Sequence, residues 1–196
     1  MTSATASSTT ALATTTISLA RWTVEDYHRM IAAGILDDRH VELIHGEIVE
    51  MAPEGKLHAY FSDNTGEYLA RLLGDRARVR NGKPITLPDD SEPEPDIAVV
   101  QRLGAEYLEH HPYPENIFWL IEYADSSLGK DLEIKRKLYA KSRILEYWVV
   151  NLQTRQLIIF RDPQHGDYGS RATLTTGTIS PLAFPDLEIL VAEIVC

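Results

Sequence analysis

Glu94-Pro95-Asp96-Ile97-Ala98-Val99-Val100 and Ile117-Phe118-Trp119-Leu120-Ile121-Glu122-Tyr123 decide the fold of this chain. Both are short runs of β-branched and aromatic residues, the composition of strands buried in a sheet. Each carries an acidic residue where an apolar one would pack better: Asp96 at the mouth of the first run, Glu122 inside the second. Two carboxylates on neighbouring strands repel each other unless a cation or a shared proton offsets the charge. A hard ion such as Mg²⁺ is the simplest remedy, because it takes oxygen ligands and needs only one or two carboxylates from the protein. The competing structural reading is that Asp96 caps a turn and Glu122 pairs with a nearby Lys or Arg.

The segment after the second run bears on that choice. At about 100° per residue, residues 131 to 141 read as a helix on which Leu132, Ile134, Leu138 and Tyr139 define one apolar arc. Asp131, Lys135 and Ser142 fall within that arc. Charges on a core-facing arc cost several kcal/mol unless compensated, far more than an i,i+4 surface pair returns at roughly 0.2–0.5 kcal/mol. A lysine aimed from a helix at two strand carboxylates supplies what phosphodiester hydrolysis needs, a positive group beside the attacking water and the developing phosphorane charge. A lysine snorkelling to the rim is the alternative. Lys130, Lys137 and Lys141 are expected on another stripe of the same helix, facing either solvent or phosphates.

Outward from this centre, Thr23 and Asp26 form a capping-box pattern ahead of Tyr27, Met30, Ile31 and Ile35, which predicts a first helix reaching Leu36. Residues 41–44 and 47–51 flank His45-Gly46 and read as a hairpin. Leu57, Tyr60, Phe61, Tyr68, Leu69, Leu72 and Leu73 make a longer amphipathic helix stopping at Gly74. Strands are expected over 77–87, 97–101, 117–123, 147–151 and 156–161. The fold class is therefore α/β in the mixed α+β sense, one sheet with helices packed on it, preceded by a helix and a hairpin.

The 196 residues carry 19 basic and 29 acidic side chains, a formal charge of -10. That balance argues against electrostatic coating of nucleic acid and leaves room for a local cation or nucleic-acid site. Residues 1–19 are almost wholly Thr, Ser and Ala and are expected to be a disordered tail, with 20–196 a single domain. No run of about 18 apolar residues exists, so no membrane span is expected, nor a signal peptide. The lone Cys196 excludes an intrachain disulfide and a cysteine-built metal site, and a cytoplasmic location is expected.

Taken together, Glu42-Leu43-Ile44-His45-Gly46-Glu47, Glu94 to Val100, Glu122-Tyr123-Ala124-Asp125-Ser126-Ser127-Leu128, Asp131, Lys135, Tyr139-Ala140 and Glu146-Tyr147-Trp148-Val149-Val150 resemble the Uma-two family. That family, of restriction-endonuclease type, is placed in the PD-(D/E)XK nuclease superfamily, and the resemblance runs from about Arg21 to the C-terminus. It implies a restriction-endonuclease-like core and cleavage of phosphodiester bonds, with Asp96 and Glu122 as metal ligands for Mg²⁺ or Mn²⁺. It further implies Glu42 as a third acidic group and Lys135 as the catalytic lysine. The usual Glu-x-Lys tripeptide is absent because position 124 is Ala, so the lysine has moved to the following helix. His58 stands where the family often has His, but a capping or rim histidine is the favoured reading. His45 and Asn151 depart from the pattern at positions where Asp is usual, and Tyr123 replaces a small aliphatic residue and should point away from the cleft. Pro185-Asp186 is a second Pro-Asp pair, read as a turn.

The expectation is a metal-dependent endonuclease acting on nucleic acid, with DNA the expected substrate and a homodimer compatible with two sites addressing two strands. Two alternatives stay open: a non-catalytic nucleic-acid-binding or assembly module on a nuclease scaffold, and a metal-free acid/base hydrolase such as a glycosidase, which leaves Lys135 unexplained.

Overall fold

The computed structural model describes residues 18–125 and 127–195. The stretch expected to be a disordered tail lies, as far as residue 17, outside the described residues. α1 (Val24–Ala32) opens with the anticipated capping box: the Thr23 hydroxyl accepts the Asp26 N–H, and the Asp26 carboxylate accepts the Thr23 N–H. The helix is shorter than its pattern suggested, since the chain turns through Gly34 at φ 71°, and Ile31 and Ile35 are left exposed.

β1 (Val41–Ile44) and β2 (Glu47–Glu50) form the hairpin. Its two-residue turn needs positive φ at both positions, and His45 (50°) and Gly46 (72°) supply it. A Cβ on Gly46 would also lie 2.9 Å from the Cβ of Arg21. α2 (Lys56–Leu73) follows, ending at Gly74 as predicted.

The main sheet has six strands in the order β3 (Arg78–Asn81), β4 (Ile97–Val100), β5 (Ile117–Ala124), β6 (Glu146–Asn151), β7 (Gln156–Gln164) and β8 (Asp167–Leu174). Only β5 and β6 run parallel, so only they need a helical crossover. That crossover is α3, residues 128–141, which is not one regular helix. Leu128–Lys130 is α-helical, Asp131–Lys135 is a π-helical turn, and Arg136–Lys141 is α-helical again. β9 (Thr178–Ile179) pairs with β10 (Ile189–Leu190), and α4 (Ala192–Val195) closes the described chain.

The strand expected over 77–87 is only four residues long. Pro84 and Pro88 lack the N–H that a ladder requires, and the segment becomes a loop held by isolated bridges at Leu87–Ser91 and Leu43–Glu92.

Strand alternation sorts the core into two layers. Ile97, Val99, Trp119, Ile121, Tyr123, Trp148 and Val150 pack on Phe61, Leu69 and Leu73 of α2 and on Ile194 and Val195 of α4. Ala98, Val100, Leu120, Ala124, Tyr147 and Val149 pack on Leu138 and Tyr139 of α3. Glu122, lying between Leu120 and Ala124 in this alternation, belongs to the α3 layer. Tyr123 goes the other way, as expected, and its hydroxyl donates to Thr65 Oγ1 at 2.6 Å. Among the described residues no helix is long and apolar enough to cross a membrane.

Candidate active site

Antiparallel pairing of Ile97 with Ile121 places Asp96 opposite Glu122 at the end of β4 and β5. The Asp96 N–H reaches Glu122 Oε2 at 3.4 Å, and the Tyr123 N–H donates to Asp96 Oδ2 at 2.6 Å. The two carboxylates are thus fixed by main chain on adjacent strands, and the sequence-derived pair stands at one cleft. Both line one open cleft, together with His58, Lys130, Asp131 and Lys135.

Lys135 comes from the π-helical turn of α3 and is buried, with only 5% of its side chain exposed. Its Nζ donates to Glu122 Oε1 at 2.8 Å and lies 3.6 Å from Glu42 Oε2. Tyr139, one turn on, donates to the same Glu122 oxygen at 2.8 Å. Burial pulls the Lys135 ammonium toward neutrality, but the carboxylates of Glu122, Glu42, Asp131 and Asp96 reverse this and hold it above the ordinary lysine value. Burial likewise pushes Glu122 above the usual carboxylate range, with Lys135 opposing and the charges of Asp96 and Asp131 reinforcing the rise. Asp131, buried and receiving the Ser127 hydroxyl at 2.7 Å, is raised first by burial.

Glu42 sits on β1, wholly buried, behind the two lysines rather than on the cleft wall. Its Oε2 accepts the Glu94 N–H at 3.2 Å and its Oε1 accepts Lys130 Nζ. Burial pushes its pKa up, and Lys135 and Lys130 together more than cancel that, leaving it below the usual value.

Three features were not foreseen. Lys130 does not share a surface stripe with Lys137 and Lys141: it turns inward to Glu42, while Lys137 and Lys141 stay exposed. Ile134, assigned to the apolar arc, is 47% exposed. Both corrections have one cause, the π-helical turn, in which the Arg136 N–H bonds Asp131 O and the phase of the helix shifts. His58, on the first turn of α2, donates from Nε2 to Asp96 Oδ2 over 2.9 Å, and its other nitrogen faces Glu54 at 3.7 Å. Burial pulls its pKa down, but the Asp96 hydrogen bond and charge, with Glu54 and Glu122, push it up to about 8. Glu54, His58 and Asp96 each offer a ligand atom within 4.8 Å of the others. Only the Glu54/His58 i,i+4 spacing was visible in sequence; their meeting with Asp96 is tertiary.

A family model described as "putative restriction endonuclease", that of Uma2, matches residues 24–192. The chain belongs to the Uma2 family. No curated protein matches it. Among solved structures, this Uma2 chain is similar to one described as a "putative nuclease belonging to DUF820" from Anabaena variabilis ATCC 29413. The identity is 18%, the TM-score 0.64, and the match covers 79% of this chain and 89% of that one. At that identity the likeness shows a shared fold, the mixed sheet flanked by helices described above.

Proposed function

We propose that this Uma2 chain is a divalent-metal-dependent endonuclease that hydrolyses phosphodiester bonds of nucleic acid, with DNA as the substrate. The observation that carries this reading is the meeting of Asp96 and Glu122 at an open cleft with the buried Lys135 ammonium seated on Glu122.

The donor set fits a hard divalent ion. Asp96 and Glu122 offer carboxylate oxygens from two adjacent strands. Glu122 Oε1 is fully occupied by Lys135 and Tyr139, while among the described residues Oε2 has only the long Asp96 N–H contact. The cleft also carries Glu54, Glu94, Asp125 and Asp131, an excess of negative charge that a divalent cation offsets and that would otherwise repel phosphate. Asp96 and Glu122 would hold the ion, with His58 and Glu54 next to Asp96. Bound there, it supplies Lewis acidity toward a phosphoryl oxygen and an acidified water.

The chain's own groups have separable tasks. The Tyr123 N–H fixes Asp96, and Tyr139 and Lys135 fix Glu122, so neither carboxylate must reorganise during turnover. Lys135 places a positive charge beneath the reacting centre, where charge develops on the phosphorane. Glu42 assists indirectly, because it anchors Lys135 from the far side.

The test is cleavage of single- and double-stranded DNA with Mg²⁺ or Mn²⁺ by the parent, Glu122→Gln and Lys135→Ala, with calorimetry of metal binding on the same proteins. Metal-dependent cleavage by the parent that both variants lose supports the reading. DNA binding without cleavage under every metal condition would instead support a binding module, and cleavage undiminished in Lys135→Ala would sink the proposed mechanism.

A further inference from the structure

Two lysines approach this site, and they are not equivalent. Lys135 is caged: 5% exposed, with Glu122 at 2.8 Å and Glu42 at 3.6 Å. It cannot grip an incoming phosphate without abandoning a buried carboxylate. Lys130 lies on the cleft wall, 27% exposed, and its ammonium rests on Glu42 Oε1.

The backbone explains why both point the same way. In a regular α-helix, residues five apart differ by about 140° in direction and cannot share a face. The intervening turn, Asp131–Lys135, is π-helical, closed by the i→i+5 bond from Arg136 N–H to Asp131 O. Such a turn brings residues five apart nearly into line. The irregularity therefore has a definite product, a second cation delivered to the cleft from a position where a regular helix would send it to solvent.

Glu42 is built to release it. Apart from Lys130, this buried carboxylate keeps the Lys135 ammonium and the Glu94 N–H, both on Oε2. Losing Lys130 still leaves it charge-compensated.

From this geometry we propose that Lys130 is the substrate-binding cation of the cleft: it rests on Glu42 and transfers to a phosphate of the nucleic-acid strand when the strand enters. The inference rests on the proposed nuclease function and assigns within it the residue that binds the strand. Lysine suits the task as a mobile point charge for phosphate.

The experiment measures binding of fluorescein-labelled single- and double-stranded DNA oligonucleotides in Ca²⁺ over a range of salt, for the parent, Lys130→Ala, Lys130→Arg and Glu42→Gln. Lys130→Ala should weaken binding by about ten-fold and flatten the plot of log affinity against log salt by about one phosphate contact. Lys130→Arg should keep both. Glu42→Gln should tighten binding, because the carboxylate that competes with phosphate is gone. The two removals thus have opposite signs if Lys130 changes partners, and the same sign if Lys130 merely serves Glu42. Equal signs, or a Lys130→Ala affinity and slope matching the parent, would overturn the inference while leaving the nuclease reading intact. A parent that binds neither DNA would overturn both.

Discussion

Glu122 on β5 and Glu146 on β6 are buried glutamates on neighbouring strands, and the chain treats them in opposite ways. Glu146 receives Arg161 Nε at 2.9 Å and Nη2 at 2.6 Å, Trp148 Nε1 at 2.8 Å and the Leu182 N–H at 2.7 Å. Every strong donor comes from the protein, and both carboxylate oxygens are engaged. Glu122 receives two side-chain donors on one oxygen and a single 3.4 Å main-chain contact on the other, while Asp96 and Asp131 add negative charge to its surroundings. On the function proposed above, Glu146 is a structural carboxylate saturated by donors, whereas Glu122 is kept short of them beside others of its own sign. Burial does not tell the two apart.

The sharpest way to break the comparison is through turnover. Glu122→Gln and Asp96→Asn should each lower metal-dependent cleavage by about 10³-fold, roughly 4 kcal/mol of barrier, with folding intact by circular dichroism. If either variant cleaves at the parent's rate, the proposed distinction between the glutamates is lost.

Next come the cations. Removing either partner lysine or arginine strands a buried carboxylate, so Lys135→Ala and Arg161→Ala should each cost on the order of 3 kcal/mol in urea unfolding. Mn²⁺ should restore much of the loss in Lys135→Ala, where an ion can take over the offsetting charge, and none in Arg161→Ala. Equal rescue of both would mean that the ions bind elsewhere.

The His58–Asp96 pair gives a smaller, pH-dependent effect. The folded pKa of His58, about 8, lies above its unfolded value. The stability it contributes is therefore fully present below about pH 6.5 and is lost as pH rises through about 8, amounting to roughly 2 kcal/mol. His58→Gln should be less stable than the parent at about pH 6 and level with it by about pH 9. A gap of the same size at both ends would show that the pair does not titrate in this window. The smallest effect belongs to Lys137, which lies on the solvent face with Glu133 3.5 Å away. Lys137→Ala should change stability by less than about 0.5 kcal/mol, and a larger change in the same urea titration would show that Lys137 is not on a solvated face.

How far the sequence could be read follows from which periodicities the chain keeps. A strand has period two and keeps it, so the turn of Tyr123 away from the cleft was legible from its run alone, and the two acidic residues could be read as facing one cleft. The helix pattern held for Asp131, Lys135, Leu138 and Tyr139, all buried. It failed at Ile134 and Lys130 because one π-helical turn breaks the 3.6-residue phase, and no residue type announces such a turn. The strand over 77–87 was overextended because apolar content outweighed Pro84 and Pro88. β8 escaped notice since most of Asp167–Leu174 is exposed and shows no burial alternation. Glu42 was reached only through family resemblance, and its partnership with two lysines is a long-range contact.

That contact has a consequence for the order in which the molecule is built. Glu42 meets Glu94 and Lys130 across 52 and 88 residues of chain, so the charge network is non-local structure. Loop closure over such spans comes late in folding, after local hairpins and helices. On a ribosome, the β1 hairpin emerges with its carboxylate bare, and the cleft stays unassembled until α3 has been made. Pulse-labelled hydrogen exchange reads this order directly: the Glu94 amide should gain protection no earlier than the amides of β5 and β6. A cleft completed only with α3 would keep the proposed nuclease inert until that crossover has been made.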